Sequence, residues 1–174
     1  MIGILALQGG FKEHEQILNQ LDISSRQVRS MADTEGLTGF IIPGGESTVM
    51  DLFIQEFGLK DWLIRQAQNP HFKILGTCAG LILLARYGLL DVTVERNAYG
   101  RQVASFLATV DCEGVGLVRG HFIRAPKIVG IGAQARVLAE YEGVPVAVRQ
   151  GSVWGLSFHP ELAGDPSLHA VLFS

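Results

Sequence analysis

The sequence has few of the features that mark several large classes of protein. Its 174 residues contain two cysteines, Cys78 and Cys112, which are too few for a disulfide framework. No apolar run is long enough to cross a membrane. The apolar start at residues 2–7 is too short for the core of a signal peptide and follows no basic segment. We therefore expect a cytoplasmic protein.

Charge is also scarce, since 18% of the residues are charged and the net charge is −3. The isoelectric point of about 5.9 excludes the electrostatic signature of a nucleic-acid-binding protein. No basic amphipathic stretch suggests binding at a membrane surface. Histidines, cysteines and carboxylates do not cluster at the spacing of metal ligands, so we expect no metal site.

Apolar residues are plentiful: they make up 48% of the chain, with a mean hydropathy of +0.27. That composition fits a parallel sheet buried on both faces. Strand-like and helix-like patterns alternate in the first half, and short β-like pieces fill the second. We therefore predict an α/β fold in one domain, residues 1–174, with an open, mostly parallel sheet and a small antiparallel extension.

The periodicity of apolar residues predicts the individual elements. Predicted strands cover residues 1–7, 25–28, 37–42, 73–76, 92–95, 106–110, 118–123, 128–131, 136–141, 144–149 and 153–158. Predicted helices cover residues 11–21, 48–57, 59–68 and 79–87, and a last helix starts at Asp165-Pro166. For the second helix we predict a cap at Ser47 or Thr48 and an apolar side formed by Val49, Met50, Leu52 and Phe53.

Cys78 lies in the stretch around which the chain is organised. Gly76 and Gly80 bracket it between a short apolar strand and an apolar helix, which is the thiol counterpart of a nucleophile elbow. At a helix start, exposed N–H groups and the helix dipole favour a negative charge on the sulfur. Cys78 is therefore a candidate nucleophile for attack on a carbonyl, the alternative being a buried cysteine beside a structural turn.

A cysteine nucleophile needs a base, and the base needs a group that orients it. His159 is the best candidate because it follows a predicted strand, and Glu161 can return to the same side to hold the imidazole. His121 is the rival base. Of the other histidines, we predict His14 on a solvated helix face, His71 in a loop and His169 in the final helix.

Acyl transfer also needs donors for the developing oxyanion. The backbone N–H groups of Ala79 and Gly45 are the candidates. The segment 43–47 could instead form a phosphate-binding turn, although it lacks the P-loop lysine. One or two members of an arginine cluster could recognise a substrate carboxylate; its members are Arg96, Arg101, Arg119 and Arg124.

Two of these motifs together resemble the triad-type, class I glutamine amidotransferases, which have a flavodoxin-like fold. They are Gly76-Thr77-Cys78-Ala79-Gly80 and Ser157-Phe158-His159-Pro160-Glu161. Further segments are similar to the glutaminase subunits of the two-component pyridoxal 5′-phosphate synthases. They are Leu5-Ala6-Leu7-Gln8-Gly9, Pro43-Gly44-Gly45-Glu46-Ser47-Thr48, Val94-Glu95-Arg96-Asn97, Gly100-Arg101-Gln102 and Phe122-Ile123-Arg124-Ala125-Pro126.

The resemblance implies hydrolysis of L-glutamine to L-glutamate and ammonia through a cysteinyl thioester. It implies that Cys78 is the nucleophile, His159 the base and Glu161 its partner. Glutamine would bind at Gly45, Glu46, Ser47, Arg96, Ile123 and Arg124. Ammonia would pass to a synthase subunit, in a complex of glutaminase subunits around a synthase dodecamer that activates the glutaminase. The chain itself would need no cofactor.

Two alternatives stay open at this point. The chain could be the glutaminase subunit of a different amidotransferase, which identification of its partner would reveal. It could also be a non-catalytic module that binds and regulates a partner. The intact cysteine, histidine and carboxylate count against that last hypothesis.

Overall fold

The computed structural model describes residues 1–96 and 105–174. Its strands are β1 (Ile2–Leu5), β2 (Ser25–Val28), β3 (Gly39–Ile42), β4 (Lys73–Thr77), β5 (Val92–Glu95), β6 (Phe106–Cys112), β7 (Gly116–Phe122), β8 (Lys127–Ile131), β9 (Arg136–Tyr141), β10 (Val144–Gln150) and β11 (Val153–Leu156). Its helices are α1 (Phe11–Gln20), α2 (Ser47–Glu56), α3 (Leu59–Gln66), α4 (Ala79–Arg86) and α5 (Ser167–Phe173). Short 3₁₀ turns lie at Met31–Thr34 and Glu161–Ala163.

A seven-stranded sheet within the described residues forms the centre of the molecule. Its order is β2-β1-β3-β4-β11-β10-β9. The first five strands are parallel, and β10 and β9 continue the sheet in antiparallel fashion. Two separate antiparallel pairs, β5 with β8 and β6 with β7, complete the extension. The predicted open, mostly parallel sheet with an antiparallel extension is confirmed.

Alternation along the parallel strands divides the interior into two cores. On β3, Phe40 and Ile42 face a core shared with α2, α3 and α4. Ile41, between them, faces the opposite core, which includes Leu18 of α1 and Leu168 of α5. All four residues of β1, β3 and β11 are buried, as expected for strands covered on both faces.

Most predicted elements are present, with ends that move by a few residues. Strands β1 and β3 are shorter than predicted. The apolar runs in the sequence extend past the strand ends into the connecting segments, so the apolar pattern overestimates the strand lengths. The predicted hairpin between β9 and β10 turns at Glu142 and Gly143, whose φ angles of 50° and 76° fit a turn with two left-handed central residues. Within the described residues, no helix is long and apolar enough to span a membrane.

The start of α2 differs from the prediction. Its cap is Glu46, whose carboxylate accepts hydrogen bonds from the N–H groups of Thr48 at 3.1 Å and Val49 at 2.8 Å. The prediction of Ser47 or Thr48 as the cap was therefore wrong.

The buried side of the helix follows Met50 and Ile54, one turn apart, so that Leu52 projects to solvent and is 64% exposed. Val49, also predicted on the buried side, is exposed.

Close packing of α4 against β3 fixes the position of the turn at Cys78. A Cβ atom added to Gly80 would lie 2.1 Å from the backbone oxygen of Ile42. A backbone oxygen in a central strand cannot move aside as the end of a side chain can. Gly80 is therefore required by the distance between helix and strand.

We expect Gly80→Ala to lower the free energy of unfolding by about 2–4 kcal/mol, although alanine favours helix more than glycine does. Chemical denaturation measures this change. Gly10→Ala is the matched control, since the nearest atom to its added Cβ is a Glu13 carboxylate oxygen at 3.4 Å. Equal stability of the two variants would contradict the packing argument.

Candidate active site

Four loops at the carboxyl ends of parallel strands meet in one crevice. They follow β1, β3, β4 and β11. Two hydrogen bonds join the first pair: the side-chain oxygen of Gln8 accepts from the N–H of Glu46 at 2.9 Å, and the N–H of Gly10 donates to the oxygen of Gly44 at 3.0 Å. Gly45 and Cys78 line the cavity, and the loop at Gln8-Gly9 supports it from behind through its contacts with the loop after β3.

Cys78 adopts a strained backbone conformation, with φ 50° and ψ −99°. Its N–H donates to the oxygen of Leu156 at 2.8 Å, which ties the turn to the neighbouring strand. The sulfur lies 4.0 Å from the carbonyl oxygen of Ile123 and the residue is partly exposed. Ala79 is the first residue of α4, so its N–H has no acceptor within the helix.

His159 lies between the cavity that Cys78 lines and the buried Glu161. Cys78 and His159 both line this cavity, and Nδ1 of His159 lies 2.7 Å from Oε1 of Glu161. The backbone of His159 pairs in both directions with that of His121, at 2.9 and 3.0 Å. His121 thus contacts His159 through its backbone, while the His159 ring lines the cavity and hydrogen-bonds to the Glu161 carboxylate.

Gly44 packs against the His159 ring. A Cβ atom added to Gly44 would lie 2.2 Å from its Cε1 carbon. Only glycine permits this approach, so the loop after β3 helps to fix the imidazole plane.

Burial and charge act in opposite directions on these groups. Burial by itself lowers the pKa of His159, but its interactions with Cys78 and Glu161 outweigh it and raise that pKa to about 10. Burial raises the pKa of Glu161, but His14 and then His159 outweigh it and lower that pKa to about 2. The carboxylate is therefore ionised at neutral pH and stabilises a protonated His159.

A cavity of about 390 Å³ opens in front of the sulfur. Its lining includes all six residues predicted to bind the substrate: Gly45, Glu46, Ser47, Arg96, Ile123 and Arg124. Ile82 and Pro126 also line it and were missed, because nothing in the sequence separates them from ordinary core residues. The roles of these residues stay predictions.

The charged residues of the cavity are partly engaged with each other. Arg96 lies 3.3 Å from the Glu46 carboxylate, and both side chains are about half exposed. The N–H groups of Val49 and Thr48, followed by Arg96, hold the pKa of Glu46 below its usual range. Because Glu46 occupies these helix N–H groups, the phosphate-binding alternative for segment 43–47 loses its donors.

The other predicted arginines lie elsewhere. The backbone N–H of Arg119 donates to Asp165 at 2.7 Å, and Arg119 does not line the cavity. Arg101 falls outside the described residues, as do Asn97 and the Gly100-Arg101-Gln102 segment.

Groups of three or more histidine, cysteine or carboxylate side chains able to hold a metal are absent from the residues that the structure describes.

The prediction of a solvated His14 was wrong. His14 is fully buried, and its Nε2 lies 3.4 Å from Oε1 of Glu161. The spacing of His14 with Ile17 and Leu18 places it on the buried face of α1, a signal that the polarity of histidine obscured. His169 lies in α5 as predicted and is also fully buried. His71 is exposed in a turn.

Comparison with known proteins identifies the family. Residues 4–173 match the SNO glutamine amidotransferase family. The chain belongs to this family. Among curated relatives, the pyridoxal 5′-phosphate synthase subunit PdxT of Corynebacterium diphtheriae is 48% identical, and the match covers 97% of this chain and 96% of the relative. PdxT from a strain of Thermus thermophilus is 46% identical, covering 97% and 94%.

Solved structures agree with this assignment to the SNO family. A crystal structure of a glutamine amidotransferase that is 44% identical superposes with a TM-score of 0.92 and covers 97% of this chain and 94% of that one. PurLQS from Thermotoga maritima, at 17% identity, has a TM-score of 0.79 over 98% of this chain and 96% of that one, and shows the shared fold alone.

Because His169 is buried, we predict that the folded protein loses stability as the solution becomes more acidic. Burial and then His14 lower its pKa from the ordinary 6.5 to about 3. Between these values the unfolded chain binds a proton that the folded chain does not. The free energy of unfolding therefore falls as the pH falls, by up to ~1.4 kcal/mol per pH unit from this group.

We expect His169→Gln to reduce this slope in denaturant titrations between pH 7 and pH 5. His71→Gln, at an exposed site, is the control and should leave the slope unchanged. If wild type and His169→Gln lose stability in parallel over this range, His169 does not resist protonation in the fold.

Proposed function

We propose that the chain is the glutaminase subunit of a pyridoxal 5′-phosphate synthase, which hydrolyses L-glutamine and delivers the ammonia to a synthase subunit. The observation that carries the proposal is that Cys78 and His159 line the same cavity and that His159 hydrogen-bonds to the buried Glu161 carboxylate. Membership of the SNO glutamine amidotransferase family supports it, as do near full-length relatives named PdxT.

In the scheme that we propose, the reacting state holds the Cys78 proton on His159, in keeping with the raised pKa of that imidazole. The thiolate attacks the side-chain carbonyl of glutamine, and the N–H groups of Ala79 and Gly45 stabilise the resulting oxyanion. His159 returns the proton to the leaving nitrogen, so that ammonia departs and a thioester to Cys78 remains. Water, deprotonated by His159, then hydrolyses the thioester to glutamate and restores the thiol.

Glu161 supports both halves of this sequence. Its ionised carboxylate accepts the Nδ1–H of His159, which directs the other ring nitrogen to the sulfur. It also stabilises the imidazolium formed when the ring takes a proton. Glu161 is buried and 5% exposed, so water screens this interaction weakly.

The remaining cavity residues suit the two charges at the amino-acid end of glutamine. The guanidinium groups of Arg96 and Arg124 fit its carboxylate, and the Glu46 carboxylate fits its ammonium group. Gly45, Ser47 and Ile123 complete the wall. Because Glu46 pairs with Arg96 in this structure, glutamine would exchange that pairing for contacts of its own.

The partner is the synthase subunit that consumes the ammonia. We propose that residues 1–174 act as one glutaminase domain in the cytoplasm, and that several copies surround a synthase dodecamer. The reaction on this chain uses no cofactor in this scheme, since thiol, imidazole and carboxylate supply every proton transfer.

The two alternatives have less support. Relatives covered almost end to end are named as subunits of one synthase, which disfavours a different amidotransferase. A protein that merely docks would not need a strained cysteine beside a paired imidazole.

Cys78→Ala is expected to abolish ammonia release from glutamine, a decrease of at least ~10³-fold, because no thioester can form. A coupled glutamate or ammonia assay with the synthase partner present measures it. Cys112→Ala is the matched control, since Cys112 is buried on β6 and does not line the cavity. An electrophilic glutamine analogue should label Cys78 and leave Cys112 unmodified. Normal turnover by Cys78→Ala would remove the thiol from the mechanism.

The partner proposal has its own test. Ammonia release by the purified chain should rise by about tenfold or more when the synthase subunit of pyridoxal 5′-phosphate synthase is added. The synthase subunit of another amidotransferase is the control and should have no effect. Activation by the control partner and not by the first would indicate a different amidotransferase.

A further inference from the structure

Two buried histidines extend the catalytic arrangement beyond Glu161. His14 of α1 and His169 of α5 are both fully buried, and His14 Nδ1 lies 2.8 Å from His169 Nε2. On its other side, His14 Nε2 lies 3.3 Å from the hydroxyl of Thr77 and 3.4 Å from Oε1 of Glu161. The reaction proposed above gives neither histidine a role.

Both imidazoles are neutral at pH 7. Burial is the main cause that lowers the pKa of His14, opposed by Glu161, with smaller effects from His159 and Glu13. Burial and then His14 lower the pKa of His169, opposed by Glu161 and Asp165. A neutral imidazole has one N–H donor and one acceptor nitrogen, so the position of each proton must be worked out from the partners.

The carboxylate decides where these protons lie. Ionised Glu161 only accepts hydrogen bonds, so the Thr77 hydroxyl donates to it. The hydroxyl oxygen then accepts from His14, and the nitrogen of His14 that faces both groups, Nε2, carries the proton. His14 Nδ1 is then an acceptor, and the proton between the two rings belongs to His169 Nε2. His169 Nδ1 is left as an acceptor, and it is a buried atom without a hydrogen-bond partner among the described residues.

Three polar groups surround one oxygen of Glu161, and His14 is linked to that oxygen through the Thr77 hydroxyl. Oε1 of Glu161 is 2.7 Å from His159 Nδ1, 3.4 Å from His14 Nε2 and 3.5 Å from the Thr77 hydroxyl. The other oxygen, Oε2, is buried and has no hydrogen-bond partner within residues 1–96 and 105–174. A carboxylate held at one oxygen can turn about that point unless donors from a second direction restrain it.

We propose that His14 and His169 are positioning residues for the glutaminase, two neutral imidazoles in series that hold Glu161 in the orientation in which it supports His159. Two leucine side chains at positions 14 and 169 would fill this space without burying an unpaired nitrogen. Packing alone therefore does not explain why both positions are histidine. The proposal rests on the proposed function, since it concerns the orientation of the base in that reaction.

The test compares variants of the full chain assembled with its synthase partner. His14→Leu removes the donor and keeps much of the volume, and we expect it to lower kcat by about tenfold with KM changed less than about twofold. His14→Gln retains an N–H donor on a side chain of similar reach and should recover most of kcat. His71→Leu, at an exposed turn, is the control for substitution of a histidine and should match wild type.

A double-mutant cycle with Glu161→Gln separates positioning from general destabilisation. If His14 acts through the Glu161 carboxylate, His14→Leu should lower kcat less than about twofold when Glu161→Gln is already present. A decrease that is equally large in both backgrounds would overturn the proposal, as would a His14→Leu variant with wild-type kcat. A wild-type chain that releases no ammonia from glutamine would instead reject the proposed function.

The wild-type chain provides a test that does not depend on whether a variant folds. Nitrogen-15 NMR of the imidazole rings reports which nitrogen carries the proton. We expect His14 and His169 to be neutral between pH 6 and pH 8, both with the proton on Nε2. A charged ring, or a proton on Nδ1 of His14, would contradict the arrangement.

Discussion

Parallel pairing between β4 and β11 is the constraint on which the candidate site depends. Thr77 and Leu156 are opposite each other at the ends of these strands, so the residues that follow, Cys78 and the segment to His159, leave the sheet side by side. The hydrogen bond from Cys78 N–H to the oxygen of Leu156 continues the pairing by one residue. The candidate nucleophile and the candidate base are far apart in the chain, and this pairing brings them to the same cavity.

Much of this arrangement could be predicted from the sequence. The elbow at Cys78 has a local signal, an apolar strand and an apolar helix with glycines on either side, and the strand before His159 has an apolar pattern of its own. No local signal predicts the strand order. Parallel strands of an open sheet nevertheless end at one edge, so the loops that follow them could be predicted to lie together. The substrate residues of the cavity, in contrast, were named only from the resemblance to the glutamine amidotransferases.

The errors arose where a residue type conflicts with its surroundings. His14 has the polarity of a surface residue and lies at a buried position, because partners from β4, α5 and the Glu161 turn satisfy its nitrogens. Leu52 is the converse case, an apolar side chain left in solvent. Glu46 caps α2 through its own carboxylate, although serine and threonine beside it are the commoner caps. The burial of His14 depends on tertiary contacts that periodicity does not contain, whereas the Glu46 cap is a local contact that residue preferences do not favour.

The backbone pairing between His121 and His159 links the base to the β6–β7 hairpin. That hairpin runs directly into Ile123 and Arg124, which form one wall of the cavity. The imidazole and this wall are therefore joined through paired backbone. A displacement of the hairpin, by docking of another protein or by a mutation at its base, would alter the width of the cavity and the reach of the imidazole together, so neither can be adjusted without the other.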